Sequence, residues 1–330
     1  MNKKSLFIRY TFLFIITAFI AVIFLNYYKS QKIIQTLNDN IHDVNKAYAN
    51  AYSEINKRAE LIFFNNLLYD KELIDIYMNV LVDQRNSKEL LYKKLRDRFF
   101  YFKSYGVKEI NFYLPKNELF LSMSNYEESY IEDKKSLKFV NKTLKEIDLI
   151  EINENSAVLT FLKPLLDSNL NHLGVIELSF SIDTLTNLMQ KDLGLNVFTT
   201  YNKKLINENL LEKNLSDFKE FYLNKEYLLE NNLNSILHED ISIFDSMLKD
   251  NKELINSGMA SSKEFAFIYK DKYSFFPAIA IPLFNNLTKT NVSYIFAYDG
   301  NNENSQAFII NYFNLLLLIC LHSQTIRIKY

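Results

Sequence analysis

Cysteine occurs once in 330 residues, at position 320, which excludes a disulfide framework and any thiolate-bound metal cluster. The four histidines, His42, His172, His238 and His322, stand singly, so no HExxH-type spacing of metal ligands exists. Glycine is confined to positions 106, 174, 194, 258 and 300, too dispersed for a phosphate-cradling loop or a nucleophile elbow. Charge of a single sign is missing too. With 38 basic against 39 acidic residues, no positive excess is available to follow a nucleic-acid backbone. Nucleotide enzymes, metalloproteases and serine hydrolases of the usual build are disfavoured. No nucleophile–base pair is legible either, so the chain reads as a non-enzyme with no cofactor, no metal and no nucleic-acid partner.

What is present is apolar, aromatic and unevenly charged. The 22 tyrosines and 27 phenylalanines read mostly as core. Residues 10–28 are nineteen uncharged positions with tyrosines at both ends, enough for a transmembrane helix with interfacial anchors. The competing reading is a cleaved signal peptide, but Leu25-Asn26-Tyr27-Tyr28 offers no small-residue cleavage site. Residues 304–326 carry no Asp, Glu, Lys or Arg around the apolar centre Phe308–Leu321 and are read as a second span. Asn311 and Asn314 interrupt that centre, and a buried C-terminal core helix is the alternative. The flanks, 1–9 and 327–330, hold five of the basic residues and no acidic one, which makes the segment between them acid-rich by six. Basic flanks stay cytoplasmic, so both ends are expected inside a bacterial inner membrane, with 29–303 periplasmic.

Within that outer segment, residues 29–105 are expected to be helical. Ile34, Leu37, Ile41, Val44, Tyr48, Ala51, Ile55 and Ile62 follow alternating spacings of three and four and then one full heptad, the period of a helix that pairs with another. The same stripe would also suit a helix lying on its own domain. A second helix is expected from Ser87 as N-cap, through Leu91, Leu95, Phe99 and Phe102, to Gly106 as C-cap. After Gly106 the alternation is that of strands: a hairpin around Pro115-Lys116-Asn117, a helical piece over 135–147, strands from Ala157 and Val175 around a polar turn, and a helix from Asp183 to about Lys191. A second unit from about Leu195 repeats the scheme, with a helical stretch around 241–255 and strands from Phe265 and Val292. Pro164-Leu165 before Val175 matches Pro282-Leu283 before Val292, which points to duplication. The fold class expected is α+β.

The stretch Gly106-Val107-Lys108-Glu109-Ile110-Asn111-Phe112-Tyr113-Leu114-Pro115 resembles the Gly-Val-x-x-(Ile/Leu)-His-Phe-His-Leu-Pro strand of double Cache sensor domains. These are PAS-like extracytoplasmic input domains of chemoreceptors, histidine kinases and diguanylate cyclases, and the likeness is to the subfamily common in epsilonproteobacteria. Leu119-Phe120-Leu121-Ser122-Met123-Ser124 stands where that subfamily has Ser-Phe-Leu-Arg-x-His. Leu159-Thr160 through Pro164-Leu165-Leu166-Asp167, then Leu173-Gly174-Val175-Ile176-Glu177, resembles its Tyr-Arg-x-x-x-Pro-(Leu/Ile/Val)-x-Asp and Leu-Gly-x-(Val/Ile)-Glu pattern. The resemblance implies a membrane-distal module over 106–192, a proximal one over 193–303, and a sensor that works in signal transduction or chemotaxis, as a homodimer or as a heterodimer with a longer receptor.

The departures fall on polar positions. Asn111, Tyr113, Ser122, Ser124 and Thr160 replace the subfamily's His, His, Arg, His and Arg. Those are the groups that pair with an anion. Strand alternation puts Asn111 with Tyr113 on one face, and Glu177 with Ser179 on one face. Such a face is either a pocket or plainly solvated. The site expected is Asn111, Tyr113, Ser122, Ser124, Thr160 and Glu177, with Glu177 as its charge and a neutral or cationic small molecule as its ligand. Lys163 could counter an acidic ligand, although an ordinary surface lysine explains it as well. With only residues 327–330 beyond the second span, the reading expects a sensor without an output domain of its own. A periplasmic scaffold without ligand and the remnant half of a split receptor therefore stand as alternatives.

Overall fold

The computed structural model describes residues 3–127, 130–153, 156–210, 212–221, 223–231, 249–271 and 274–298. Residues 304–326, expected as a second span, lie outside them, as does most of the helical stretch expected around 241–255.

One helix, α1 (Lys3–Ile62, 60 residues), carries the N-terminal apolar run and the stalk without a break. At 1.5 Å per residue it is about 90 Å long. Its N-terminal part is long and apolar enough to cross a membrane, and Phe12, Leu13, Phe19, Ile20 and Phe24 are all exposed there. Further along, the three–four stripe is used within the chain: Val44, Ala51, Ile55 and Ile62 are buried against the protein's own core, whereas Ile34 is exposed. Small residues at Ala47, Ala51 and Ala59, all buried, let the helix lie close to what it covers. A π-turn over Phe63–Leu67 follows.

Next comes α2 (Lys71–Met78), capped by Asp70, whose carboxylate accepts from Leu73 N–H, and then α3 (Gln84–Lys103), capped by Asp83, which accepts from Asn86 N–H at 3.1 Å. The cap expected at Ser87 is thus a buried residue inside α3, and α2 is a separate short helix within the stretch expected to be helical. Asp83 supplies the same hydroxyl-or-carboxylate chemistry one turn earlier. Gly106, at φ +91°, turns the chain out of α3, and a Cβ there would lie 2.2 Å from Thr184 Oγ1.

The distal sheet has five strands in the order β2-β1-β5-β4-β3, all antiparallel: β1 (Val107–Tyr113), β2 (Leu119–Ser122), β3 (Ile147–Ile152), β4 (Ala157–Leu166) and β5 (His172–Ser181). Helix α4 (Lys135–Thr143) ends at Leu144, which adopts φ +56°. The helical piece expected to reach Ile147 is therefore shorter, and Ile147–Ile152 is a strand. Its β-branched Ile-Asp-Leu-Ile-Glu-Ile run is better suited to a pleated surface than to a helix.

Helix α5 (Ile182–Leu193), capped by Ser181 and closed by Gly194 at φ +68°, leads to the second sheet. That sheet contains β6 (Asn196–Asn202), β7 (Phe218–Glu220), β8 (Tyr227–Glu230), β9 (Phe265–Asp271), β10 (Ser274–Phe284) and β11 (Asn291–Tyr298), in the order β7-β8-β6-β11-β10-β9. Helix α6 (Lys203–Asn209) follows β6, and helix α7 (Lys252–Ser261) precedes β9. With β7 set aside, the order β8-β6-β11-β10-β9 repeats that of the distal sheet strand for strand. The Pro-Leu correspondence holds only loosely in the ladders: Pro164 faces Val175, whereas Pro282 faces Tyr294, two residues beyond Val292.

A single apolar cluster runs from α1, α2 and α3 through one face of the distal sheet (Ile110, Phe112, Phe161, Ile176, Leu178, Phe180) to one face of the second sheet (Ile279, Ile281, Ile295). The opposite face of each sheet is separate from this cluster. There the two sheets differ, and the difference locates the site.

Candidate functional site

On the second sheet that opposite face is filled by rings. Phe198 and Phe296 stack at 4.8 Å with 6° between their planes, and Phe221, Phe267, Tyr294 and Tyr298 pack with them beside Ile255 and Met259 of α7. On the distal sheet the same face is polar. Buried there are Glu109 and Asn111 on β1, Ser122 on β2, Thr160 on β4, and Glu177 and Ser179 on β5. The ladders bring them together, since Asn111 faces Ser122 on one side and Glu177 on the other, and Thr160 faces Ser179.

A cavity of about 670 Å³ opens against this face, lined in part by Glu109, Asn111, Ser122, Ser124, Glu132 and Lys134. Of the expected site residues, Asn111, Ser122 and Ser124 line it, with Ser124 exposed at its mouth. Tyr113, Thr160 and Glu177 lie in the same face, each completely buried, but do not line the cavity. Strand alternation accounts for the shared face. It does not say which positions are roofed by α4, whose Leu137 and Val140 pack with Tyr113 and Leu162.

Hydrogen bonds tie the polar groups into chains. Asn153 donates to Glu109 Oε2 at 3.1 Å. Thr160 and Ser179 share a hydrogen bond at 3.2 Å, and Ser179 donates to Glu177 Oε1 at 3.3 Å. Ser122 and Ser124 share another at 3.2 Å. Three atoms of this face, Asn111 Oδ1, the Tyr113 hydroxyl and Glu151 Oε1, are buried with no hydrogen-bond partner among the described residues. Buried polar atoms are nearly always paired, so these are places where a ligand atom or a water is expected.

The residues that sequence reasoning passed over are charged. Lys134 reaches both Glu177 oxygens, at 3.3 and 3.5 Å. Burial alone would lower its pKa, but Glu177 and the carboxylates of Glu151 and Glu132 outweigh that and hold the ammonium well above its ordinary value. Glu177 is therefore the inner half of an ion pair, and its charge is already met. Glu151, on β3, accepts from the Ser136 hydroxyl at 3.2 Å, and burial pushes its carboxyl up to about 7. Lys134 belongs to the run Glu132-Asp133-Lys134-Lys135, which reads as a solvated loop, and no local signal marks it. Lys163 faces the other way, toward α1, where it pairs with Glu60 at 2.7 Å and Glu146 at 2.8 Å. It is a strut between α1 and β4 and has no place in the cavity.

No family model matches the chain. No curated protein matches it either. Similar solved structures include the sensory domain of the Campylobacter jejuni chemoreceptor Tlp3 with isoleucine bound, at 13% identity over 80% of this chain and 92% of that one, with a TM-score of 0.42. A domain of a sensory box/GGDEF family protein from Vibrio parahaemolyticus covers 81% of this chain and 97% of its own at 13% identity, with a TM-score of 0.44. The sensor domain of the Vibrio cholerae histidine kinase DctB matches at 10% identity over 81% and 98% of the two chains, TM-score 0.44. At these values the likeness is one of broad layout and assigns nothing to individual residues. What the chain itself shows is two antiparallel sheets, of one strand order once β7 is set aside, joined along a long helix with an apolar N-terminal part.

Proposed function

We propose that the protein is a membrane-anchored extracytoplasmic sensor that binds a small polar molecule in the distal cavity and passes the event to α1. In this reading residues 10–28 and 304–326 span the inner membrane, 29–303 is periplasmic, and the chain works as a homodimer or beside a longer receptor. The observation that carries the proposal is the cavity wall: a buried amide oxygen, Asn111 Oδ1, lines it without a partner among the described residues. A scaffold face would show a flat, solvated surface there.

The charges at the wall are mixed. Lys103, Lys108 and Lys134 stand against Glu109, Glu132 and Asp183. No surplus of cations exists to hold a dicarboxylate, so a neutral, zwitterionic or cationic ligand is favoured.

The test is a thermal-shift screen of the full chain in detergent with neutral, zwitterionic, cationic and dicarboxylate metabolites, because a ligand that binds only the folded state raises the melting temperature. Asn111→Ala and Ser122→Ala should each weaken any hit about tenfold or more, the equivalent of ~1.4 kcal/mol for a lost buried partner. A hit whose affinity ignores both changes would move the site out of this sheet, and a screen with no hit would favour the scaffold.

A further inference from the structure

Glu177 is the most deeply buried carboxylate on the polar face, at 0% exposure, in the middle of β5. The Ser179 hydroxyl on the same strand donates to it, but a carboxylate so placed also needs a counter-charge, and that comes from off the sheet. Lys134 comes from the connection between β2 and α4, where its neighbours Asp133 and Lys135 are exposed in the manner of ordinary charged residues. Its own side chain is 17% exposed and turned inward. The chain on both sides of it is fixed. Before it, Leu119 N–H donates to Tyr130 O and Glu132 N–H donates to Asn117 O, both at 2.8 Å, so this stretch runs along the edge of β2. After it, α4 is anchored by Leu137 and Val140, both at 0% exposure. Lys134 lines the cavity, whereas Glu177, which its ammonium meets, does not.

We propose that Lys134 determines charge specificity at the inner end of the distal cavity: its ammonium is a tethered cation seated where a ligand cation would otherwise meet Glu177. This rests on the distal cavity being the ligand site. A tethered group competes at an effective concentration in the millimolar range, so a free cation at ordinary concentrations does not displace it. The inner end of the cavity therefore presents a positive group with its charge already spent, which suits a neutral polar group of the ligand. The same ammonium stands 3.8 Å from Glu132, so it screens that carboxylate of the cavity wall as well.

Chemical replacement tests this directly. Lys134→Ala removes three methylenes and the ammonium, the equivalent of n-propylammonium, and leaves Glu177 buried without its counter-charge. The full chain in detergent should melt lower than the wild type. Millimolar n-propylammonium chloride should raise its melting temperature by several degrees beyond matched sodium chloride, and n-propanol should not. The wild type, with the seat taken, should not respond. Lys134→Ala with Glu177→Gln should be more stable than Lys134→Ala alone and should be deaf to propylammonium. That pair keeps the question open to test if the single variant does not fold, because neutralising the stranded carboxylate should then restore folding. A Lys134→Ala protein as stable as the wild type, or a double variant rescued by propylammonium equally well, would overturn the proposal. Either result would leave the ligand screen standing, and a failed screen would leave the amine rescue standing.

Discussion

Gly174 sits on β5 beside the end of β1. A Cβ built there would lie 2.1 Å from the backbone oxygen of Tyr113 and 2.9 Å from the Tyr77 hydroxyl. The Tyr77 hydroxyl donates to that same oxygen at 2.8 Å, which pins it in place. Real contacts of this kind are not shorter than about 3.0 Å, so Gly174→Ala requires β1 and β5 to part by about 1 Å. The obstacle is main chain, and no rotamer change relieves it. Ladder hydrogen bonds stretched by that amount leave the useful range, and overpacking of this kind costs ~3 kcal/mol or more. For a domain of this size that is a fall of roughly 6–12 °C in melting temperature. Gly194→Ala is the matched control: φ is +68° there, but nothing lies within 4 Å of the added atom. Only the left-handed backbone is penalised, about 1 kcal/mol. Differential scanning fluorimetry of the two variants and the wild type reads the comparison. The same displacement should loosen ligand binding, because Asn111 and Glu177 face each other on the same ladder. If Gly174→Ala melts no lower than Gly194→Ala, close packing of β1 on β5 is not what holds this part of the site.

Other outcomes follow from the same geometry. Glu151 is held near 7 by burial, so the folded state binds its proton more tightly than the unfolded chain does; this contribution is fully present below the ordinary carboxylate range and is lost as pH rises through 7. Glu151→Gln should therefore flatten the decline of melting temperature between about pH 4.5 and 7, and an unchanged pH profile would place Glu151 in water. Leu37→Asp with Ile41→Asp should abolish dimers by light scattering; because Ile41 also packs against the domain's own core, circular dichroism of the same variant checks that the fold is kept. An unchanged mass would move the interface elsewhere. For topology, Val82→Cys in a Cys320→Ser background is the best probe, because Val82 is 86% exposed. It should react with an impermeant thiol reagent in intact cells with a permeabilised outer membrane, and labelling only after lysis would reverse the orientation.

Much of this was legible from local pattern. Period-two alternation over 110–114 and 176–180 assigned Ile110, Phe112, Ile176, Leu178 and Phe180 to one face and Asn111, Tyr113, Glu177 and Ser179 to the other, and the buried clusters divide in that way. The three–four stripe of α1 was equally plain, but a stripe says that a face is covered and not by what: Ile34 remains exposed while Ile55 is buried in its own domain. Strand β3 and helix α2 are short elements whose limits depend on Leu144 in a left-handed conformation and on the Asp70 cap, features too local for a periodic pattern to reveal.

The amino-acid sequence by itself determined the types of the longer elements, the faces of the central strands, the apolar reach of α1 and the polarity of the distal face. All of these depend on neighbours within a few residues along the chain, where periods of 2 and 3.6 translate composition into direction. Tertiary structure alone decided that Glu177 is neutralised by Lys134, that Lys163 braces α1 through Glu60, and that rings fill the second sheet where the distal one has a cavity. Lys134 and Glu177 stand 43 residues apart, and Lys163 and Glu60 stand 103 apart. A charge has no period and carries no mark of its partner. Which carboxylate an ammonium meets is set by how the chain folds back over the sheet, and that is a property of the packed whole.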